Sequence, residues 1–521
     1  MASIQESAPG TKFAIKVHPR GKRNAITGEI DGTLKDSLMA PPIGWQGQRL
    51  LHRILRETFE HCVDLPLPLP PARAAVVKSF ALRAFRRRRQ RKVGPPRLSV
   101  SERWQEIRTG FERPFWVANI SELFERLSYY AVFAVLARYL HEGLHFNVER
   151  ASSLTGMFGG WVWFLAVIGG ALADRLGFRR ALSVAYLILT FAYFMLGSIA
   201  SPWLAPLRDR VPLLALVAVI LMLPALGVAL VKPSVVGTTA RASKENVRSV
   251  GYSIYYTLVN VGSTAGPLLA SWAQEHGIVQ NVFRIAAVSV FLMFFVVFLL
   301  FKEPARAEES ERAGLAQVGK NFLTVLSNPR FMLFLLIFTG YWIVFWQEFI
   351  ALPLYISAYI DPKADTARIL ATDPIIVILF TMVIGLLTKR MLAFHAIVLG
   401  TMISSLAWIL LIVHPSLWMA VATLAVVAIG EIVQQPRYYD YISRLAPAGQ
   451  QGTYMGFAFL PLGLGSFIAG KFGGWAMHHF GEELHRPELV WWSVIAVGLI
   501  TTLLLWIYDQ TLRVRRTLEV K

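Results

Sequence analysis

Three ionisable side chains stand together in an otherwise apolar run: Glu122, Glu125 and Arg126, within SELFERLSYY. In a helix, residues three and four apart share a face, so one stripe can hold all three. Elsewhere Lys232 interrupts the apolar run GVALVKP, Glu431 follows Gly430 in another, and Asn260 sits within YYTLVNVGS. Carboxyl groups can carry protons, and acids and bases of these types can make charge-assisted hydrogen bonds to one another or to an ionic solute. Insertion scales charge about 2.5–3.5 kcal/mol for such a group at the bilayer centre, so the cluster needs an aqueous cavity, partners or a protonated state. Each group also has a purely structural alternative. The first cluster could be a buried ion pair, Asn260 an interhelical hydrogen bond beside the close-packing Gly262 and Ser263, and Glu431 a partner for Arg437.

The elements that carry these residues are membrane spans. The chain has 521 residues, of which 55% are hydrophobic and only 16% charged, against roughly 25% charged in soluble domains. Apolar stretches near the bilayer-crossing length of about twenty residues recur over 114–140, 152–173, 180–199, 212–234, 250–271, 282–301, 331–358, 372–388, 394–413, 416–436, 452–471 and 489–508. They predict an all-α membrane protein of twelve transmembrane helices. The basic linker 302–330 divides them into an N-terminal bundle, 113–301, and a C-terminal bundle, 331–508, with a tail over 509–521. Residues 1–112 form a basic extension in which LPLPLPPAR is too Pro-rich to continue a helix, and no single stable core is expected there.

The formal net charge is +19, and its distribution sets an orientation. With both termini on one face, 41 Lys and Arg residues fall on that face and 9 on the other, which places the termini in the cytoplasm of a multi-pass protein of the bacterial inner membrane. The run RRRRQRK, Arg86 to Lys92, invites a nucleic-acid reading, but beside a membrane it reads better as a patch against anionic headgroups. No nucleic acid is expected as a partner. The start lacks a cleavable signal pattern, so the first span serves for insertion. The single cysteine, Cys62, excludes an intramolecular disulfide, and no Cys/His spacing suits a metal. No nucleophile elbow, phosphate-cradling loop or zinc-protease helix is present, so no enzyme and no cofactor are expected, and a proton gradient is the natural energy source.

Two resemblances sharpen this reading. Between the second and third spans, GGALADRLGFRR resembles the G-x-L-a-D-r-x-G-r-r loop of the major facilitator superfamily. It marks Gly170, Asp174, Arg175, Gly177 and Arg179 as a gating loop, with Asp174 able to cap the next helix or pair with an Arg. The first-span stretch resembles the E-x-x-E-R-F-x-Y-Y-G signature of the proton-coupled oligopeptide transporters, matched at Glu122, Glu125, Arg126, Tyr129 and Tyr130, with Leu127 and Ala131 departing from it. Lys232 in the fourth span, Tyr256, Asn260, Gly262 and Ser263 in the fifth, Glu431 in the tenth and the SRLAPAGQQGTYMG stretch follow in the family's order. That resemblance implies a site in which Arg126 and Lys232 hold a peptide carboxylate while Asn260 and Glu431 hold its amino group. Tyr129, Tyr130, Tyr256 and Gln347 complete it, and Glu122, Glu125 and Glu431 couple protons. Departures occur where the family pairs an Arg with a Glu across the outer gate, since those positions are Phe133 and Trp346. Glu348 lies beside the lost acid, and Asp373 stands where the family tends to have Asn.

The stretch from Phe13 to Pro42 resembles the first half of the YggU-like domain and stops abruptly, which suggests a fusion, a shifted frame or a misassigned start. Peptides from 13–42 in the native protein would exclude a late start. The expected function is proton-driven symport of di- or tripeptides by a monomer in the lipid bilayer. The alternatives are carriage of another solute, such as an anion, an amino-acid derivative or a drug, and a receptor or scaffold built on the extension.

Overall fold

The computed structural model describes residues 109–245, 247–304, 323–446 and 451–519, together with the backbone of five short strands within 4–38. The strands are Ile4–Ser7 paired antiparallel with Gly10–Phe13, and a sheet in which Thr33–Leu38 lies between Ile15–Pro19, parallel, and Ala25–Ile30, antiparallel. The last three fall within the stretch that resembles a YggU-like domain. The Pro-rich and Arg-rich segments and most of the linker 302–330 lie outside the described residues.

Twelve principal helices follow. They are α1 Arg113–Arg138, α2 Val148–Leu176, α3 Phe178–Ser198, α4 Leu213–Arg241, α5 Arg248–Glu275, α6 Gln280–Leu300, α7 Pro329–Phe345, α8 Thr372–Leu387, α9 Ala393–Leu406, α10 Leu417–Leu445, α11 Leu460–Ala476 and α12 Glu488–Glu519. Every expected span overlaps one of them, but the stretch 331–358 is broken after α7 by the 3₁₀ turn Trp346–Glu348 and continues in short helical turns to Ile360, and 452–471 begins in a separate short helix, Gln451–Phe457, ahead of α11. Several helices run beyond the apolar stretch, as α4 does to Arg241 and α10 to Leu445, because a helix can continue past the hydrocarbon while a hydropathy reading stops at its first polar residues. Among the described residues, nine spans are long and apolar enough to cross a membrane by length and composition alone. The first is not among them, being interrupted by Glu122, Glu125 and Arg126.

Local signals start the helices. Asn147 accepts the Arg150 N–H at 3.0 Å to cap α2, and Asn328 accepts the Phe331 N–H at 3.1 Å to cap α7 ahead of Pro329. Phe111 pairs with Ser243 and the Glu112 N–H donates to Ala242 at 2.9 Å, so the helical body already includes residues ahead of α1.

Helices α1–α6 and α7–α12 form two six-helix bundles. We call the face bearing the start of α1 and the end of α12 the terminal face, and the opposite one the far face. The bundles meet most tightly where α2 crosses α11. A Cβ on Gly156 would lie 2.6 Å from the Gly470 Cα, so only glycine lets these backbones touch. Ser466 Oγ then donates to the Gly156 carbonyl at 2.9 Å.

Candidate functional site

The stripe expected on α1 is present and turned inward. Glu122, Glu125 and Arg126 are buried, with Arg126 only 1% exposed. The Arg126 Nε donates to Glu125 Oε2 at 2.5 Å and lies 3.6 Å from Glu122 Oε1. Among the described residues Arg126 Nη2, both Glu122 oxygens and Glu125 Oε1 have no hydrogen-bond partner, so the ion pair leaves donor and acceptor capacity unused. Tyr129 lies beneath the guanidinium, 4.9 Å from ring centroid to Cζ, and Tyr130 meets Tyr129 edge-on. Helix α5 presses on α1 here: a Cβ on Gly262 would stand 2.7 Å from the Leu123 carbonyl and 2.9 Å from Arg126 Cβ. The glycine expected to allow close packing thus sets the position of Arg126.

Lys232 comes to the same place from α4. Its Nζ sits 3.9 Å from the centroid of the Trp163 ring and acts electrostatically on Arg126, Glu122 and Glu125. A cation over an indole face is stabilised by about 0.5–2 kcal/mol. Trp163, in GGWVWF, was not singled out in the sequence, because nothing in that apolar stretch distinguishes a cation's seat from core. Asn260 bonds its own helix, Nδ2 donating to the Tyr256 carbonyl at 2.8 Å, while the Tyr256 ring is 52% exposed.

From the second bundle, Glu431 of α10 acts electrostatically on Tyr130 and Tyr256 of the first. Its alternative partner is engaged elsewhere, since Arg437 donates to the Thr388 carbonyl at 3.0 Å. Gln347 does not join the cluster. Its Nε2 donates to Ile343 at 3.0 Å and to Ala469 of α11 at 3.3 Å, which commits this fully buried amide to helix packing. Glu348, beside it in sequence, is acted on electrostatically by both Asp373 and Glu431.

The far side of this cluster is closed. Phe133, about 10 Å beyond Arg126 along α1, stacks on Phe349 with centroids 4.6 Å apart and contacts Trp346 at 5.6 Å. The positions that lack the family's ion pair are therefore filled by an aromatic plug. Nearer the far face, Arg138 grips Glu142 through two bonds of 2.9 Å and donates to the Ala364 and Pro362 carbonyls of the second bundle at 2.9 and 3.1 Å. Glu142 accepts from Ser357, and Ser271 donates to Asp365. Partial burial pushes the Glu142 carboxyl up, but hydrogen bonds from Arg138 and Ser357 and the Arg138 charge outweigh it and hold it below its ordinary value. A cavity of about 240 Å³, lined by His141, Glu142, Tyr359 and Glu482, surrounds this latch and is separate from the charged cluster.

At the terminal face, Gly177 adopts a φ of 80°, a left-handed value that glycine tolerates, and so turns the chain from α2 into α3. The cap of α3 comes from Glu303, whose carboxylate accepts the Phe178 and Arg179 N–H groups at 2.8 and 2.9 Å. Asp174 was expected as one possible cap; its side chain and the surroundings of Gly170 lie outside the described residues. Arg175 is exposed, and Arg179 packs on Phe298 with a 2.6 Å bond to its carbonyl, a contact within the first bundle.

Two six-helix bundles around facing charged clusters define a membrane carrier. Residues 118–470 match the Major Facilitator Superfamily, to which the chain belongs. The multidrug resistance protein MdtH of Salmonella paratyphi B (strain ATCC BAA-1250 / SPB7) is 25% identical over 359 residues, covering 68% of this chain and 84% of that protein. Among solved structures, a POT family transporter in complex with 5-aminolevulinic acid superposes with a TM-score of 0.63 at 17% identity, over 77% of this chain and 96% of that one. A POT family transporter in complex with a thioalcohol-conjugated peptide gives 0.62 at 17% identity over the same shares.

Proposed function

We propose that this protein is a proton-coupled symporter of short peptides or similar small zwitterions, working by alternating access of its two bundles. The observation that carries the reading is that Arg126 of the first bundle and Glu431 of the second both act electrostatically on Tyr130, while Lys232 acts on Arg126 and its two acids. A zwitterion spanning Arg126 and Glu431 binds both bundles at once and draws them together. With the termini cytoplasmic, the conformation described is closed toward the outside. Glu125 competes with a cargo carboxylate for Arg126. A proton on Glu125 or Glu122 frees the guanidinium for the cargo, and loss of that proton returns Arg126 to its acids and releases the cargo.

The test is ligand stabilisation of the purified protein. Dialanine should raise the melting temperature through binding to the folded state, while N-acetylated or C-amidated dialanine should do so far less, and Arg126→Gln or Glu431→Gln should abolish the shift. A shift from sugars or inorganic anions with none from dialanine would overturn the reading. A second reading, movement of drug-like compounds, is favoured by the name of the MdtH relative and by the apolar surface that Phe133, Trp346 and Phe349 bring to the pathway. Stabilisation by lipophilic compounds and not by dialanine selects it.

A further inference from the structure

The two halves of the site differ in charge balance. In the first bundle two acids, Glu122 and Glu125, face two bases, Arg126 and Lys232. In the second, Glu348, Asp373 and Glu431 act electrostatically on one another, and among the described residues no Lys, Arg or His acts on any of the three. They converge from separate elements: Glu348 from the 3₁₀ turn after α7, Asp373 from the first turn of α8 and Glu431 from the middle of α10. Arg437, on the same helix as Glu431, donates to the Thr388 carbonyl, and Arg138 is held in the far-face latch.

A second observation points to a missing ligand. Glu348 is only 1% exposed, is acted on by the other two acids, and among the described residues has no hydrogen-bond partner for either carboxylate oxygen; Asp373 Oδ1 is likewise buried and unpartnered among them. Groups of this kind are stable when a donor or a positive charge arrives to satisfy them. From the first bundle Tyr130 meets Phe349, the residue after Glu348, at 6.3 Å between ring centroids, and all three acids act electrostatically on it, so the acids lie at the interface between the bundles. One peptide ammonium supplies one positive charge, which Glu431 can answer alone. The remaining two acids have a capacity that a neutral-side-chain zwitterion leaves unused.

Resting on the reading above that this cluster is the cargo site, we propose that Glu348 and Asp373, beside Glu431, form a subsite for a second cationic group. The preferred cargo then carries an ammonium or guanidinium beyond its amino terminus, as lysine- or arginine-containing dipeptides do. A charge-assisted hydrogen bond to a buried carboxylate gives about tenfold or more in affinity over an apolar group of the same length.

The experiment compares isosteres. Lysyl-alanine and norleucyl-alanine compete against labelled dialanine in proteoliposomes, and in parallel 1,5-diaminopentane and pentylamine are compared by thermal shift on the purified protein. Lysyl-alanine should compete about tenfold better than norleucyl-alanine, and that ratio should fall toward one in Asp373→Asn and in Glu348→Gln. Taking the ratio within each preparation cancels any loss of folded protein. Equal competition by the two peptides in the unaltered protein, or an unchanged ratio in both variants, overturns the proposal. If no peptide binds, the symport reading fails and the amine arm decides alone. Stabilisation by the diamine above the monoamine that is lost in Asp373→Asn sustains the subsite, and equal effects of the two amines refute it.

Discussion

Phe133 of the first bundle lies flat on Phe349 of the second, with ring centroids 4.6 Å apart and planes within 5°. The stack, backed by Trp346 at 5.6 Å from Phe133, takes over the closure that an Arg–Glu pair would make at these positions. An aromatic seal needs no partner charge and costs no desolvation, whereas a buried ion pair holds only while both members are present.

The exchange can be run in reverse. Phe133→Arg alone, or Trp346→Glu alone, leaves an unpaired buried charge and should destabilise the far-side closure by about 3–5 kcal/mol. The two changes together should restore most of the loss. A double-mutant cycle on melting temperature checks this, and additive losses would show that the two positions do not meet.

Glu142 predicts a pH dependence outside the membrane. Because its folded-state value is depressed, mainly through the Arg138 and Ser357 bonds acting against burial, its contribution is present above the ordinary carboxylate value and is lost as pH falls through the depressed one. The side chain is 41% exposed, so the latch contributes only about 0.2–1 kcal/mol. Glu142→Gln should increase labelling of a cysteine introduced on the far face by a membrane-impermeant reagent two- to fivefold at neutral pH, by the same energy scale. The unaltered protein should reach that level only in acid. Labelling in Glu142→Gln no greater than in the unaltered protein would remove Glu142 from the closure.

Gly156→Leu should block the α2–α11 approach without unfolding either bundle, because a Cβ there meets Gly470 Cα at 2.6 Å and the Ser466 carbonyl at 2.5 Å. Expression and helix content should be retained while far-side closure, read by cross-linking of introduced cysteines on α2 and α11, is lost.

Glu303→Ala removes the acceptor for two N–H groups at the start of α3. Loss of such a cap costs about 0.5–2 kcal/mol, so a lowered melting temperature is expected, while Asp174→Asn should have the smaller effect if Glu303 is the working cap.

The fold and half of the site were legible in the sequence for one reason: charges are conspicuous against apolar runs. Glu122, Glu125, Arg126, Lys232 and Glu431 stood out by residue type, and helical periodicity placed the first three correctly on one stripe. The rest depends on which way a side chain turns. Gln347 and Glu348 are neighbours in the 3₁₀ turn Trp346–Glu348, where successive side chains point about 120° apart, so Gln347 packs against α11 while Glu348 is acted on by the acids. The missing ion pair at Phe133 and Trp346 was visible, but its replacement was not, since Phe349 looks like any other apolar residue until the bundles are assembled. The Glu303 cap joins residues more than a hundred positions apart, beyond any local pattern.

Uptake of labelled dialanine into proteoliposomes under an imposed inward proton gradient tests the central claim most directly. Accumulation above the external concentration, abolished by a protonophore and by Glu125→Gln while exchange across equal concentrations persists, is the outcome predicted by release of Arg126 from its acids. Uptake that is the same with the gradient collapsed, or no uptake from a protein that still binds another class of solute, would contradict it.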